Sequence, residues 1–108
     1  ADLVLQKIKL IAKKGKVILM GDFNLPTEDV AVQKIASQLY DTQLSPTNAT
    51  PAMGTFNQFK TDEPLRGHID FIFVSKKIKV RNYQIITTRI DGLYPSDHLP
   101  VITTLELN

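Results

Sequence analysis

Asp22 and Asn24 stand two residues apart in Gly21-Asp22-Phe23-Asn24, just after the uninterrupted apolar run Val17-Ile18-Leu19-Met20. An acid and an amide are thereby expected where a buried strand ends and a loop begins. An ionised carboxylate can hold or orient a water or a metal ion, and an amide can donate to a phosphate oxygen without adding negative charge. If the backbone stays extended, both side chains project to the same side. Open α/β sheets bind ligands at the carboxyl ends of their strands, where side chains sit on rigid support yet face solvent. The alternative is a polar turn, since Asp and Asn favour turns through local hydrogen bonds.

Two later segments carry groups that could meet this pair. Asp70 interrupts the apolar stretch Ile69-Asp70-Phe71-Ile72-Phe73-Val74-Ser75, and an ionised group there is costly unless partnered. His98, in Pro95-Ser96-Asp97-His98-Leu99-Pro100-Val101, is a natural partner. A carboxylate bonded to one ring nitrogen fixes the tautomer and raises the basicity of the other. Such a pair could act on phosphate as base, acid or cationic clamp, or be a satisfied structural hydrogen bond. Asp97 could add an oxygen ligand for a metal or orient a nucleophile, or cap a loop together with Ser96. Thr55 and Asn57 could line a cleft as neutral donors, and His68 reads as a loop residue.

These residues need elements to position them. Leu5, Ile8, Ile11 and Ala12 recur at helical spacing over residues 2 to 14, with Gly15 as a stop. A strand follows over Val17 to Met20. Pro26-Thr27-Glu28-Asp29 marks the start of a second helix, with Thr27 able to cap and two acids suited to the positive end of its dipole. Val30, Ala31, Ile35 and Leu39 form its apolar stripe. Residues 40 to 54, with Pro46, Asn48, Pro51 and Gly54, have no period and read as a long loop. Thr55 to Phe59 is a short extended piece, and Lys60 to Gly67 a polar loop.

Ile69 to Ser75 is apolar on both parities apart from Asp70, as in a central strand covered on both faces. The β-branched tract Ile78 to Thr88 is expected to form a hairpin with it, turning at Lys76-Lys77. Leu99 to Leu107 alternates as a last strand. The fold class is α/β (α+β), a two-layer helix-on-mixed-sheet arrangement. One sheet face has no cover within the 108 residues, so a second sheet from missing sequence or another chain is expected there.

The bulk properties narrow the function classes. A chain of 108 residues is one domain or part of one, since domains span about 50 to 250 residues. The 43% hydrophobic and 22% charged content is that of a globular, soluble chain. No apolar run approaches the roughly 20 residues that cross a bilayer. The absence of cysteine rules out disulfides and thiolate metal sites, leaving hard ions held by oxygen or imidazole. A net charge of +2 permits nucleic-acid binding without arguing for it. Lys7, Lys9, Lys13, Lys14 and Lys16, and later Lys76, Lys77, Lys79 and Arg81, read as solvated faces. The start at Ala1, without Met, looks like a cut from something longer, although processing would explain it equally.

Gly21-Asp22-Phe23-Asn24, then Gly54-Thr55-Phe56-Asn57, then His68-Ile69-Asp70-Phe71-Ile72-Phe73-Val74-Ser75, then Pro95-Ser96-Asp97-His98-Leu99-Pro100-Val101, in this order, resemble the second half of the endonuclease/exonuclease/phosphatase (deoxyribonuclease I-like) family. The resemblance runs from about residue 17 to the end. It implies a divalent-metal phosphoesterase, with residues 1–108 as the carboxy-terminal half of a four-layer α/β/β/α sandwich. It further implies that Asp22 positions or activates the attacking water, and that Asn24 contacts the scissile phosphate. His98, oriented by Asp70, would stabilise the pentacovalent transition state or shuttle a proton, and Asp97 and Asp22 would sit by Mg (or Mn). The substrate-binding set would be Asn24, Asn57 and Thr55.

The departures are equally definite. Members of that family carry an earlier half with an Asn and a Glu that is the principal magnesium ligand. Neither segment is present, and Glu28, Glu63 and Glu106 do not suit the role. This chain alone should therefore be a weak catalyst or none. The expected partners are a phosphate-ester substrate, whether nucleic acid, phosphorylated small molecule or lipid, and a missing amino-terminal half or homodimer partner covering the sheet. Selectivity would lie in the loops from Tyr40 to Gly54 and from Arg89 to Pro95. The rival expectation is a non-catalytic half-domain that binds or assembles through its uncovered face.

Overall fold

The computed structural model describes residues 2–12, 15–51, 53–62, 65 and 67–107; Lys13, Lys14 and Glu63 lie outside them, as does the side chain of Ile11. Helix α1 spans Asp2–Ala12, strand β1 Ile18–Asp22, helix α2 Val30–Gln38, and strand β2 Tyr40–Asp41 with a 3-10 turn at Thr42–Leu44. Strands β3 (Asp70–Val74), β4 (Lys79–Ile85) and β5 (Val101–Glu106) complete the chain.

The first core explains why the helices lie where they do. On β3, Phe71 and Phe73 face one way and are almost wholly buried, stacked with ring centroids 5.5 Å apart. Val32 and Ile35 of α2 and Leu39, its C-cap, close over them, and Ile8 of α1, Leu19 and Phe23 fill the edges. Asp2 of α1 makes an ion pair with Lys34 of α2, tying the helices together. The stripe on α2 begins at Val32; Val30 is exposed, contrary to the sequence expectation. The cause is the cap. Asp29, rather than Thr27, is the N-cap, its carboxylate accepting from the Ala31 N–H at 2.8 Å, so the helix starts later.

The expected mixed sheet is two antiparallel sheets: β1-β3-β2, and β4 paired with β5. The expected β3–β4 hairpin is therefore not formed. A turn does occur at Lys76-Lys77, and the Ile78 N–H donates to the Ser75 carbonyl at 2.9 Å. Ser75 itself is bound back to Val17: the Val17 N–H donates to the Ser75 hydroxyl at 2.6 Å, and the Ser75 N–H to the Val17 carbonyl at 2.9 Å. Ile78 is buried just past the turn, and β4 finds its ladder partner in β5. A second core of Tyr83, Ile85, Tyr94 and Leu99 forms there, with Met53, Leu65 and Val101 packed against it.

Residues 40 to 51 are also more ordered than their composition suggests. The Thr42 hydroxyl donates to the Ile72 carbonyl at 2.8 Å, and the Ile85 N–H donates to the Thr50 hydroxyl at 2.9 Å. The Ala49 N–H donates to the Tyr83 carbonyl at 2.9 Å. The segment is thus pinned to both sheets by single polar contacts that leave no periodic trace in a sequence.

The register pairs Ile18 with Val74, Met20 with Ile72 and Asp22 with Asp70. Directly opposed residues share a face, so this set lies on the side away from the helices. There Ile18 is 49% and Met20 67% exposed. The molecule is a slab of 46 × 28 × 20 Å with a radius of gyration of 14.7 Å, above the roughly 13 Å of a compact domain this long. An expected outcome follows from the cap: Asp29→Ala should lower stability by about 1 kcal/mol, and Thr27→Ala by far less, measured by equilibrium denaturation. Equal losses would contradict the cap assignment.

Candidate active site

Asp22 ends β1 and Asp70 begins β3, and the register sets them directly opposite each other. Two like charges so placed repel. His98 lies between them. Its Nδ1 is 2.9 and 3.1 Å from the two Asp70 carboxylate oxygens, and its Nε2 is 3.6 Å from Asp22 Oδ2. The first contacts are hydrogen bonds, with Nδ1–H donating; the last is too long for one. Nε2 therefore remains available to a third group between itself and Asp22. Gly21 precedes Asp22 with φ at +153°, a backbone that residues with a Cβ rarely adopt.

The hydrogen bond to Asp70 raises the His98 pKa above its ordinary 6.5; burial opposes it, and the charges of Asp70, Asp22 and Asp97 add to the rise. When protonated, the ring offers Nε2–H as a donor. When neutral with its proton on Nδ1, it offers Nε2 as a base. The Phe56 ring lies against the imidazole with centroids 5.0 Å apart, and the His98 N–H donates to the Ser96 hydroxyl at 3.2 Å. Neither Phe56 nor Ser96 was expected as part of the site; their proximity in sequence to Thr55 and Asp97 was the available signal.

Asp22, Asp70 and His98 each present a ligand atom within 4.8 Å of the others, a group that could hold a divalent cation. Asp97 stands outside that group, although its charge is felt by His98. Asn24 has left the strand. Its φ is 52°, its side chain is exposed, and its N–H donates to Asp22 Oδ1 at 2.8 Å. The expectation of two side chains projecting together from an extended end is thus corrected: the pair forms a local turn that orients the Asp22 carboxylate.

Thr55 and Asn57 also differ from expectation. Thr55 is fully buried, its hydroxyl accepting from the Ile69 and Asp70 N–H groups at 3.1 and 3.2 Å. Asn57 is 6% exposed; its side-chain N–H donates to the Ser96 carbonyl at 2.9 Å and its side-chain oxygen accepts from the Phe59 N–H. Both groups are occupied within the protein rather than presented to a cleft. His68 lies in a loop, as expected, yet is buried there, with Nδ1 3.3 Å from the Met53 carbonyl and its ring edge-on to Phe71.

Met20, Ile72, Leu99 and Val101 line a shallow groove that ends at Asp22 and Asp70. The cluster therefore sits at the rim of the uncovered sheet face. The Arg89 guanidinium lies 4.7 Å over the Tyr94 ring and donates to the Thr61 carbonyl at 3.0 Å, joining two loops.

The sequence matches the pattern of the endonuclease/exonuclease/phosphatase family over residues 1–98. The chain belongs to this family. Among solved structures, a conserved protein of unknown function from Enterococcus faecalis V583 superposes with a TM-score of 0.85 at 26% identity, over 99% of this chain and 42% of its own. A mannosyl-6-phosphatase from Bacteroides thetaiotaomicron VPI-5482 gives 0.79 at 30% identity, over 97% and 43%. An endonuclease/exonuclease/phosphatase from Bacteroides vulgatus gives 0.82 at 28% identity, over 98% and 42%. No curated protein matches. The chain thus spans a little over two fifths of the length of these solved structures, as a half-domain of their fold would. Among the described residues no helix is long and apolar enough to cross a membrane.

The elevated His98 pKa sets a pH dependence for the metal-free protein. Because the folded value lies above the unfolded one, the stabilisation is fully present below about pH 6.5 and is lost as pH rises through the folded midpoint. Asp70→Asn should move that midpoint down toward 6.5 and flatten the loss. Titration of the imidazole proton resonances and denaturation at a series of pH values report both; an unmoved midpoint would remove Asp70 as the cause.

Proposed function

We propose that this chain is the carboxy-terminal half of a metal-dependent phosphoesterase that hydrolyses a phosphodiester or phosphomonoester by in-line attack of water. The observation carrying the reading is the Asp70–His98–Asp22 cluster at the end of an antiparallel strand pair, with Nε2 left open toward Asp22. Family membership supports phosphoester hydrolysis in general, and the similarity to a mannosyl-6-phosphatase supports a phosphomonoester among the candidates.

In this reading Asp22, held by the Asn24 turn, orients the attacking water and draws on its proton. His98 donates Nε2–H to a phosphate oxygen as charge builds there, and Asp70 keeps the ring in the tautomer and orientation that this needs. The Asn24 amide, exposed beside Asp22, donates to the scissile phosphate. Leu99 and Val101 border the site on the groove side. Magnesium or manganese fits the residues present only in part. Asp70 is engaged with Nδ1 of His98, so among the clustered groups Asp22 is the carboxylate open to a hard cation, with Asp97 nearby. When bound, such an ion would neutralise charge on the phosphate. A complete ligand set needs oxygen donors from beyond this chain, which we assign to an amino-terminal half covering the Ile18 and Met20 face. The same exposed face favours a second reading, a half-domain that assembles without catalysis, as a homodimer for instance.

Hydrolysis of p-nitrophenyl phosphate and of bis-p-nitrophenyl phosphate, with Mg²⁺, with Mn²⁺ and with EDTA, separates the two. This chain alone should run near background. With an amino-terminal half supplied, EDTA-sensitive turnover should appear, and His98→Ala should reduce it about 10²- to 10⁴-fold with little effect on folding. A stable dimer without metal-dependent turnover in either form would favour the assembly reading.

A further inference from the structure

We infer that Thr55 is a positioning residue for the Asp70–His98 pair, one buried side chain fixing the strand that carries Asp70 and one carbonyl fixing the loop that carries His98. The inference rests on the proposed role of that pair in hydrolysis. Asp70 and His98 are 28 residues apart; Asp70 begins β3, whereas His98 lies in the loop that leads into β5, a strand of the other sheet. Among the described residues no ladder joins those two strands. What holds the carboxylate against the imidazole is the segment 55–57 between them.

Thr55 works in both directions. Its hydroxyl accepts from two consecutive backbone donors, the Ile69 and Asp70 N–H groups at 3.1 and 3.2 Å, and leans toward the Gly67 carbonyl at 3.4 Å as donor. Its own carbonyl accepts from the Leu99 N–H at 2.7 Å, immediately after His98. Phe56 then bridges Gly67 on one side and His98 on the other, and its ring lies against the imidazole. Asn57 continues the seam, its N–H donating to the Asp97 carbonyl at 2.8 Å and its side chain to Ser96.

The chemistry asks for a hydroxyl at this point. Two neighbouring N–H groups pointing the same way into a buried site converge on one acceptor, and a hydroxyl oxygen with two lone pairs can take both while its proton goes elsewhere. Valine has nearly the shape of threonine but offers neither lone pair. With valine the two N–H groups at the start of β3 lose their acceptor, and that end of the strand is free to shift against the His98 loop. A displacement that carries the 2.9 Å contact out to about 3.6 Å, or turns it well off line, is enough to break it. Serine keeps the oxygen and should keep the geometry.

A double-mutant cycle in the 108-residue chain tests this without any need for turnover. Asp70→Ala, His98→Ala and the double variant, denatured at pH 5.5 in EDTA, give the coupling between the two side chains as a ratio of folding constants. The ratio should be about tenfold or more with Thr55 present, fall to within about twofold of no coupling in the Thr55→Val background, and persist with Thr55→Ser. Coupling that survives Thr55→Val, with only a general loss of stability, overturns the inference and leaves the functional reading intact. Absence of coupling in the parent chain overturns both. Should Thr55→Val fail to fold, amide hydrogen exchange of the parent chain decides: the Ile69, Asp70 and Leu99 amides should be as protected as the β1–β3 ladder. Exchange at the rate of exposed loop amides would overturn the assignment.

Discussion

Two carboxylates face each other across the first antiparallel strand pair, and an imidazole from a distant loop holds them together. Most of the rest of the structure can be understood as making that arrangement tolerable. Asp22 and Asp70 are opposed by the register that buries Phe71 and Phe73 beneath the helices, so the repulsion between them is set by the packing of the core. Sliding the register by one residue would part the acids, but it would also turn the phenylalanines to the wrong face. His98 resolves the conflict, with one ring nitrogen bound to Asp70 and the other turned toward Asp22 at 3.6 Å. The carboxylates in turn hold the ring cationic to higher pH than an isolated histidine.

The same register explains why the site lies where it does in the slab. The face that carries Asp22 and Asp70 also carries Ile18, Met20 and Ile72, and the helices cover only its reverse. Apolar surface thus runs directly into the polar cluster along the groove of Met20, Ile72, Leu99 and Val101. Anything that covered that groove would also border the cluster. The chain spans little more than two fifths of the length of the solved structures it resembles.

The polar interior beside the site bears on rigidity. Asp41 is buried, and burial holds its carboxyl above the usual range despite hydrogen bonds from Gln43. Burial likewise pushes the Tyr83 hydroxyl well above its ordinary value, with Asp41 and Asp70 acting in the same direction. In both, burial works against the charged form, and both lie in tightly packed surroundings. His98, whose pKa Asp70 raises, lies by contrast where solvent reaches its side chain.

Local order was legible wherever it followed from periodicity or from one residue type. The α1 stripe, the apolar run of β1, the alternation of β5 and the solitary acid in β3 were all readable, and so were Asp22, Asp70 and His98 as the groups to bring together. The helix start was misread because Thr27 and Asp29 are both good caps and only packing selects one. The β3–β4 hairpin was misread because adjacency and a lysine turn favour it locally, whereas burial of Ile78 and the β5 ladder divert the strand. Thr55 and Asn57 were read as cleft residues because a sequence states that a side chain is polar and not whether its partner is a ligand or a backbone amide. By itself, then, the sequence determined the elements and the chemical inventory, which depend on contacts within a few residues. Tertiary structure alone decided which polar groups were left open and which were absorbed, because that depends on pairings such as Thr55 with Asp70 and Asp70 with His98, which no local period encodes.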